Sequence, residues 1–94
     1  MVDITSTCTF IVDVSSQIKT ISITTPAGAA TGDTIDLGSD VADGRGAKIR
    51  VIKNSVIQDD LGAAKVATWV PGTGIITLGT VTTGIHDLIV WGLG

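Results

Sequence analysis

Residues 1–14 read MVDITSTCTFIVDV and alternate apolar and polar side chains almost without a break. Because successive side chains of a strand point to opposite faces, this period of two predicts a β-strand with one apolar and one Thr/Asp face. Only Ser6 and Ile11 depart from the alternation. The polar face is expected to carry a row of threonines, namely Thr5, Thr7 and Thr9.

The rest of the chain repeats this pattern in shorter pieces separated by Gly, Pro, Ser and Thr. Further strands are predicted at residues 17–25, 33–37, 47–54, 56–57, 65–70, 75–81 and 85–91. Short strands at regular spacing are typical of a β-sandwich or a small barrel. We therefore predict an all-β fold: one small antiparallel β-sandwich domain covering residues 1–94, jelly-roll-like or Ig-like, with seven or eight strands.

Local signals refine this prediction. Ser15 and Ser16 are expected to join the first two strands in a hairpin, and the turn at 71–74 a second hairpin, because Pro and Gly suit the central positions of tight turns. Asn54 and Ser55 suggest a turn or bulge, and residues 61–65 a single helical turn. The last strand is apolar on both faces, which is typical of a central strand.

Composition excludes several classes of protein. Hydrophobic residues make up 44% of the 94 residues, Ile, Val and Thr dominate, and Glu is absent, so long helices are not expected. No run approaches the roughly 18 apolar residues of a membrane span, and the N-terminus does not resemble a signal peptide. The net charge is −3 without a basic patch, so nucleic-acid binding is not expected.

The sequence offers no catalytic constellation. His86 is the only histidine, and its neighbour Asp87 should point to the opposite face of the same strand, so it cannot easily orient the imidazole. We expect His86 at a strand edge on the surface or at a subunit contact. Cys8 is the only cysteine, and its place on the apolar parity predicts packing in the core. The sequence thus predicts that the protein is not an enzyme, and it suggests no cofactor.

One acidic, glycine-rich stretch could bind calcium, which prefers six to eight hard oxygen ligands. The candidate ligands are Asp33, Asp36, Asp40 and Asp43. Their spacing is not that of an EF-hand, and Asp and Gly are also ordinary loop residues. A small calcium- or carbohydrate-binding β-sandwich module therefore stays open as the alternative function.

Three segments carry a family resemblance: residues 25–37 (TPAGAATGDTIDL), 68–79 (TWVPGTGIITLG) and 84–91 (GIHDLIVW). They resemble small β-rich virion-associated proteins of tailed phages and related viruses. The resemblance implies a capsid-decoration, head-completion or tail component that is assembled in the host cytoplasm and located in the virion. It carries over no functional residue.

An apolar-rich chain of this size is expected to complete its core across an interface. We therefore expect a homo-oligomer, with a trimer favoured, without membrane or nucleic-acid contact. The resemblance implies that it docks onto a viral capsid or tail protein. The residues expected to be buried, some of them between subunits, are Val2, Ile4, Phe10, Val12, Ile89 and Trp91.

Overall fold

The fold is described from a computed structural model. It describes residues 2–13, 18–38, 49–59, 61–69, 72–79, 81 and 83–93. One short 3₁₀ helix, η1 (Thr5–Thr7), precedes the strands. The strands in the described part are β1 (Thr9–Asp13), β2 (Lys19–Thr24), β3 (Thr34–Asp36), β4 (Val51–Asp59), β5 (Ala67–Trp69), β6 (Ile75–Leu78) and β7 (His86–Leu93).

The strands form two antiparallel sheets. The four-stranded sheet has the order β1-β2-β7-β4, and the three-stranded sheet has the order β3-β6-β5. The predicted all-β class is thus confirmed. An immunoglobulin constant domain also has one sheet of four strands and one of three. With its strands numbered along the chain, the orders in that domain are 1-2-5-4 and 3-6-7. Here the fifth and seventh described strands have exchanged places, so the strand order differs from that of an Ig constant domain.

Both sheets contribute to a single hydrophobic core. Its buried members are Ile4, Ile21, Ile23, Ala29, Ile35, Leu37, Ile49, Ile52, Ile57, Ile76, Leu78, Leu88 and Val90. The cluster is almost entirely Ile, Leu and Val, whose branched side chains pack well on pleated surfaces. Strand β7 is central, as predicted: Leu88 and Val90 are fully buried, whereas Ile89 faces away from the core and is 42% exposed.

The N-terminal segment is not the continuous strand that its alternation predicts. Asp3 pairs with Thr34 beside β3, η1 follows, and only then does β1 join the other sheet. Local hydrogen bonds explain the break: the Asp3 carboxylate accepts the backbone N–H and the hydroxyl of Thr5, and the Thr7 hydroxyl donates to the Ile4 carbonyl at 2.8 Å. Such side-chain bonds compete with strand pairing. The N-terminal segment therefore connects the two sheets.

The predicted row of threonines is wrong for the same reason. Thr5 is buried in the 3₁₀ turn, and its hydroxyl also accepts the backbone N–H of Asp36 at 2.8 Å. Thr7 and Thr9 are exposed but belong to different elements. A flat threonine array does not form.

Both predicted hairpins are present. Strand β1 pairs antiparallel with β2, and β5 with β6. The predicted turn residues 15–16 and Pro71 lie outside the described residues. Gly72 and Gly74 adopt φ angles of 90° and 70°, which L-residues avoid. The glycines predicted to turn the chain before β6 are therefore required by its backbone.

Strand β4 is longer than predicted. The sequence suggests a strand ending near Asn54 and a separate piece at 56–57, but one strand runs over Val51–Asp59 with a bulge between Ile52 and Asn54. Residues 47–48 of the prediction lie outside the described part. The polar residues Asn54 and Ser55 lie directly after the bulge. There the side chain of Asn54 accepts the N–H of Ser55 at 2.8 Å.

The predicted helical turn at 61–65 is also wrong. The Asp59 carboxylate accepts the backbone N–H groups of Leu61 and Ala63 at 3.0 and 2.8 Å, which turns the chain back. Ala64 then forms an antiparallel bridge with Gln58, and Lys65 N–H donates to Ile57. The segment leads from the edge of β4 toward β5.

Candidate functional site

The side of the four-stranded sheet that faces away from the core, called the outer face below, carries residues in three rows across the strands. The strand registers align each row. The Asp87 row consists of Thr9, Thr24, Asp87 and Gln58. The apolar row consists of Ile11, Ser22, Ile89 and Val56. The Trp91 row consists of Asp13, Thr20, Trp91 and Asn54.

The apolar row is the most unusual feature of this surface. Ile11 is 72%, Val56 54% and Ile89 42% exposed, and only Ser22 interrupts the aliphatic side chains. Scattered apolar residues are normal on protein surfaces, but aligned ones mark contact sites. The row therefore forms a candidate interaction surface.

Two shallow grooves meet at Val56. One, of about 270 Å³, lies on the outer face and is lined by Ser22, Val56, Gln58, Asp87, Leu88 and Ile89. The other, of about 320 Å³, lies between the edges of β4 and β5 and is lined by Ser55, Val56, Ile57, Ala64, Lys65, Val66, Ala67 and Trp69. The apolar surface thus continues from the outer face around the edge of β4.

The charged groups of the outer face lie toward different ends of its strands. Asp87 lies in one flanking row and accepts a hydrogen bond from the Thr24 hydroxyl at 3.3 Å. Lys53, at the bulge of β4, is exposed and lies beside Asn54 in the opposite row. Asp13 lies at the β1 end of that same row. The apolar row thus has Asp87 on one side and, on the other, Asp13 at the β1 end and Lys53 at the β4 end.

The predicted interface residues are divided by the structure. Val2 is 59% exposed, whereas Ile4 is 8% exposed and belongs to the core of its own chain. Phe10 and Val12 are half-buried and pack against that core from edge strand β1. Ile4 is therefore unavailable as a contact residue, and Phe10 and Val12 offer only part of their surface.

Ile89 and Trp91 are brought together on the outer face, where Trp91 is half-buried. The other two aliphatic members of the apolar row, Ile11 and Val56, are not among the contact residues predicted from the sequence. A signal for Ile11 existed, because it is an apolar exception on the polar parity of the first segment. Val56 gave none, since the bulge in β4 that fixes its face is a property of the folded ladder.

His86 is not at the surface, contrary to the prediction. It is 1% exposed, its backbone N–H donates to the Thr25 hydroxyl at 2.8 Å, and its Nδ1 lies 2.9 Å from the Gly84 carbonyl oxygen. Its Nε2 is buried and has no hydrogen-bond partner among the described residues. The exposed Asp87 follows it on the opposite face of β7, as predicted. These two side chains therefore do not form an acid–base pair.

Cys8 is half-buried and packs against the core. Burial, with a smaller contribution from the Asp3 charge, raises the pKa of its thiol to about 11. The thiolate is the nucleophilic form of cysteine, so this setting disfavours nucleophilic chemistry.

The proposed calcium ligands are only partly described. Asp33 is buried, and its two carboxylate oxygens accept the N–H groups of Val2 at 3.2 Å and Ala30 at 3.0 Å. The Asp36 carboxylate accepts the Gly38 N–H at 2.9 Å. Asp40 and Asp43 lie outside the described residues. Both described carboxylates therefore accept hydrogen bonds from backbone N–H groups, and Asp33 also ties the N-terminal segment to its own turn.

Across the described ranges, no three His, Cys, Asp or Glu side chains gather as a metal site would require. The described part of the chain also contains no helix with the length and apolar character needed to cross a bilayer. No protein-family model matches the chain, and neither a curated protein nor a solved structure is found to be similar to it.

Proposed function

We propose that this chain is a non-enzymatic structural protein of a virion that self-associates and docks onto a capsid or tail assembly. The observation that carries the proposal is the amount of aliphatic surface left outside the core. The exposed large aliphatic side chains of the described residues are Val2, Ile11, Ile18, Val56, Leu61, Val66, Ile75, Ile85 and Ile89. A small domain that leaves this much aliphatic surface in water gains stability by covering it with a partner.

The arrangement of these side chains supports assembly more than their number does. Val56 joins the apolar row of the outer face to the groove beside β5, which contains the half-buried Trp69 and the exposed Val66. A continuous apolar surface can exclude water over one contact, whereas scattered side chains cannot.

The sheet edges favour assembly as well. Strands β1 and β4 are the two edges of the four-stranded sheet, and residues 63–65 already pair with residues 57–59 at one end of β4. Edge strands pair readily with other strands unless they are protected. A contact between the β1 edge of one copy and the β4 edge of the next is heterologous, and such contacts can close into a ring. The trimer expected from the sequence is one such ring.

The non-enzymatic part of the proposal rests on the positions of the reactive side chains. The imidazole of His86 is buried, the carboxylate of Asp87 lies on the opposite sheet face, and burial keeps the Cys8 thiol protonated. None of these groups approaches another in a way that would activate a nucleophile.

Sedimentation velocity over a range of micromolar concentrations tests self-association directly. We expect oligomers whose share rises with concentration, and a monomer throughout would contradict the proposal. For the virion role, an antibody against the chain should detect it in purified particles, where it should co-sediment with a capsid or tail protein. Its absence from intact particles would overturn that part.

The alternative, a calcium- or carbohydrate-binding module, is separated by a thermal melt with and without calcium. Ligands that bind only the folded state raise its melting temperature. We expect no shift with calcium, because Asp33 and Asp36 already hold backbone N–H groups. A rise of several degrees would favour the module instead.

A further inference from the structure

We propose that the outer face of the four-stranded sheet binds the same face of a second copy, around a two-fold axis that runs parallel to the apolar row. This inference rests on the proposed self-association and adds a second, isologous contact to the edge-to-edge one. An isologous contact of this kind needs a surface that complements itself. Self-complementarity therefore depends on how the three rows of the outer face meet those of the second copy.

Face-to-face packing of two sheets keeps their strands roughly aligned. Two orientations of the two-fold axis are then possible. With the axis parallel to the strands, each row meets itself, and neighbouring strands β2 and β7 exchange places. This would bring Asp87 close to Asp87 of the second copy, in a contact partly shielded from water. Like charges placed in this way disfavour the complex.

With the axis parallel to the rows, the apolar row alone meets itself. The Asp87 row then lies over the Trp91 row of the second copy. Asp87 of one copy faces the indole of Trp91 of the second copy, whose N–H is a hydrogen-bond donor. Lys53 of the second copy, in the neighbouring strand β4, supplies a positive charge. The aliphatic side chains of Ile11, Ile89 and Val56 pack on their own counterparts. The apolar rows meet in both orientations, but only this one keeps the two Asp87 carboxylates apart.

The size of the face predicts the strength of the contact. Four strands of about five residues span roughly 19 Å by 17 Å, given the usual strand spacing and rise per residue. Stable complexes usually bury about 800 Å² on each partner, more than a face of these dimensions offers. We therefore expect a weak, concentration-dependent association that becomes effective where copies are held close together, as in a particle.

Cross-linking tests the orientation. Ser22 and Thr24 are both exposed on β2 and lie two residues apart. Around the proposed axis Ser22 faces its own counterpart, whereas Thr24 faces Thr20 of the second copy. We would introduce S22C or T24C into a Cys8→Ser chain and treat each with a short bismaleimide. The expected result is several-fold more covalent dimer from S22C than from T24C. Mixing T20C with T24C should restore cross-linking.

Far-UV circular dichroism and a thermal melt of each variant ensure that only folded protein is compared. Equal yields from S22C and T24C would overturn the proposed orientation. No cross-link from folded S22C, while the unmodified chain still sediments as an oligomer, would overturn this face and leave the proposed function standing. A chain that sediments only as a monomer would overturn both.

Discussion

The backbone N–H of His86 donates a hydrogen bond to Oγ1 of Thr25 at 2.8 Å, and both residues are buried. The backbone N–H of Thr25 in turn donates to the His86 carbonyl at 3.0 Å, so the two residues are joined twice across 61 positions of the chain. This pair continues the β2–β7 ladder beyond Thr24 with a side-chain oxygen in place of a carbonyl. Strand β7 thus begins with a backbone N–H that donates to the side chain of the residue following β2.

Replacement of Thr25 by Val therefore should destabilise the protein. Val has nearly the same shape but leaves the buried N–H of His86 without an acceptor, which costs roughly 1–3 kcal/mol. Chemical denaturation measures the change in the free energy of unfolding. The matched control is Thr24→Val, which removes only an exposed 3.3 Å bond to Asp87 and should change stability by less than about 0.5 kcal/mol. Equal effects would show that the Thr25 hydroxyl is not needed.

Gly74 lies where three segments of the chain meet. Its φ of 70° is in the left-handed region, and a Cβ placed there would meet the Ile49 carbonyl oxygen and the Gly38 backbone nitrogen, the latter at 2.7 Å. Gly72 has a φ of 90° but open space around the same position. A comparison of alanine substitutions at the two glycines therefore distinguishes the cost of backbone strain from the cost of steric overlap.

Gly72→Ala should cost about 1–2 kcal/mol of stability, since it forces an L-residue into the left-handed region. Gly74→Ala should cost at least about 1–3 kcal/mol more, because backbone atoms must also move to admit the methyl group. Thermal or urea unfolding of the two variants gives the comparison. If the two variants lost the same free energy of unfolding, the close backbone approach at Gly74 would not contribute to the cost of the substitution.

Much of this fold can be predicted from the sequence where side chains alternate and turns carry Pro or Gly, as in the β5–β6 hairpin and the central strand β7. The N-terminal segment could not be predicted, because the hydrogen bonds of Asp3 and Thr5 form a 3₁₀ turn within an alternating pattern. For His86, polarity suggested the surface, whereas the parity of Leu88 and Val90 puts it in the core. Strand parity was the better guide there.

Only part of the apolar row could be predicted from the sequence. Ile89 could be predicted, since it lies on a strand that is apolar on both faces. The alignment of Ile11 with Ile89 and Val56 could not, because it depends on the order β1-β2-β7-β4 and on the bulge in β4. Strand order is set by long-range packing, which a local pattern does not contain.

Acid should weaken the turn after β4. Hydrogen bonds from the backbone N–H groups of Ala63 and Leu61, and the nearby Lys65 charge, lower the pKa of the Asp59 carboxyl. A lowered pKa in the folded state means that the ionised group stabilises the fold above its unfolded pKa of about 3.9, and that this contribution is lost as the pH falls through the folded value.

The Asp59→Asn variant should therefore show a flatter dependence of melting temperature on pH below about pH 4 than the unmodified chain. Asp87→Asn, which changes an exposed carboxylate outside this turn, serves as the control and should leave the acid dependence of the turn in place. Melting curves collected from neutral to acid pH provide the measurement. Parallel curves for Asp59→Asn and the unmodified chain would speak against this role.

Cys8 should react slowly in the folded protein. With the pKa of its thiol raised from 9.0 to about 11, the thiolate fraction at pH 8 is roughly 100-fold smaller than in an unperturbed thiol. Alkylation by iodoacetamide, followed by mass spectrometry, should therefore be at least tens of times slower in the folded chain than in urea. Comparable rates in both states would mean that the thiol is neither buried nor shifted in its pKa.

Ile11 is the most exposed aliphatic residue of the apolar row. Ile11→Thr removes aliphatic surface from a residue that is 72% exposed and keeps a β-branched side chain in the strand, so the melting temperature should change little. Self-association should weaken, by roughly 1 kcal/mol or about fivefold in the dissociation constant for each interface that loses the side chain. Leu61→Thr is the matched control: Leu61 is 89% exposed but lies outside the outer face. Sedimentation equilibrium measures the dissociation constants of the two variants. An equal loss of affinity in both would indicate nonspecific hydrophobic association.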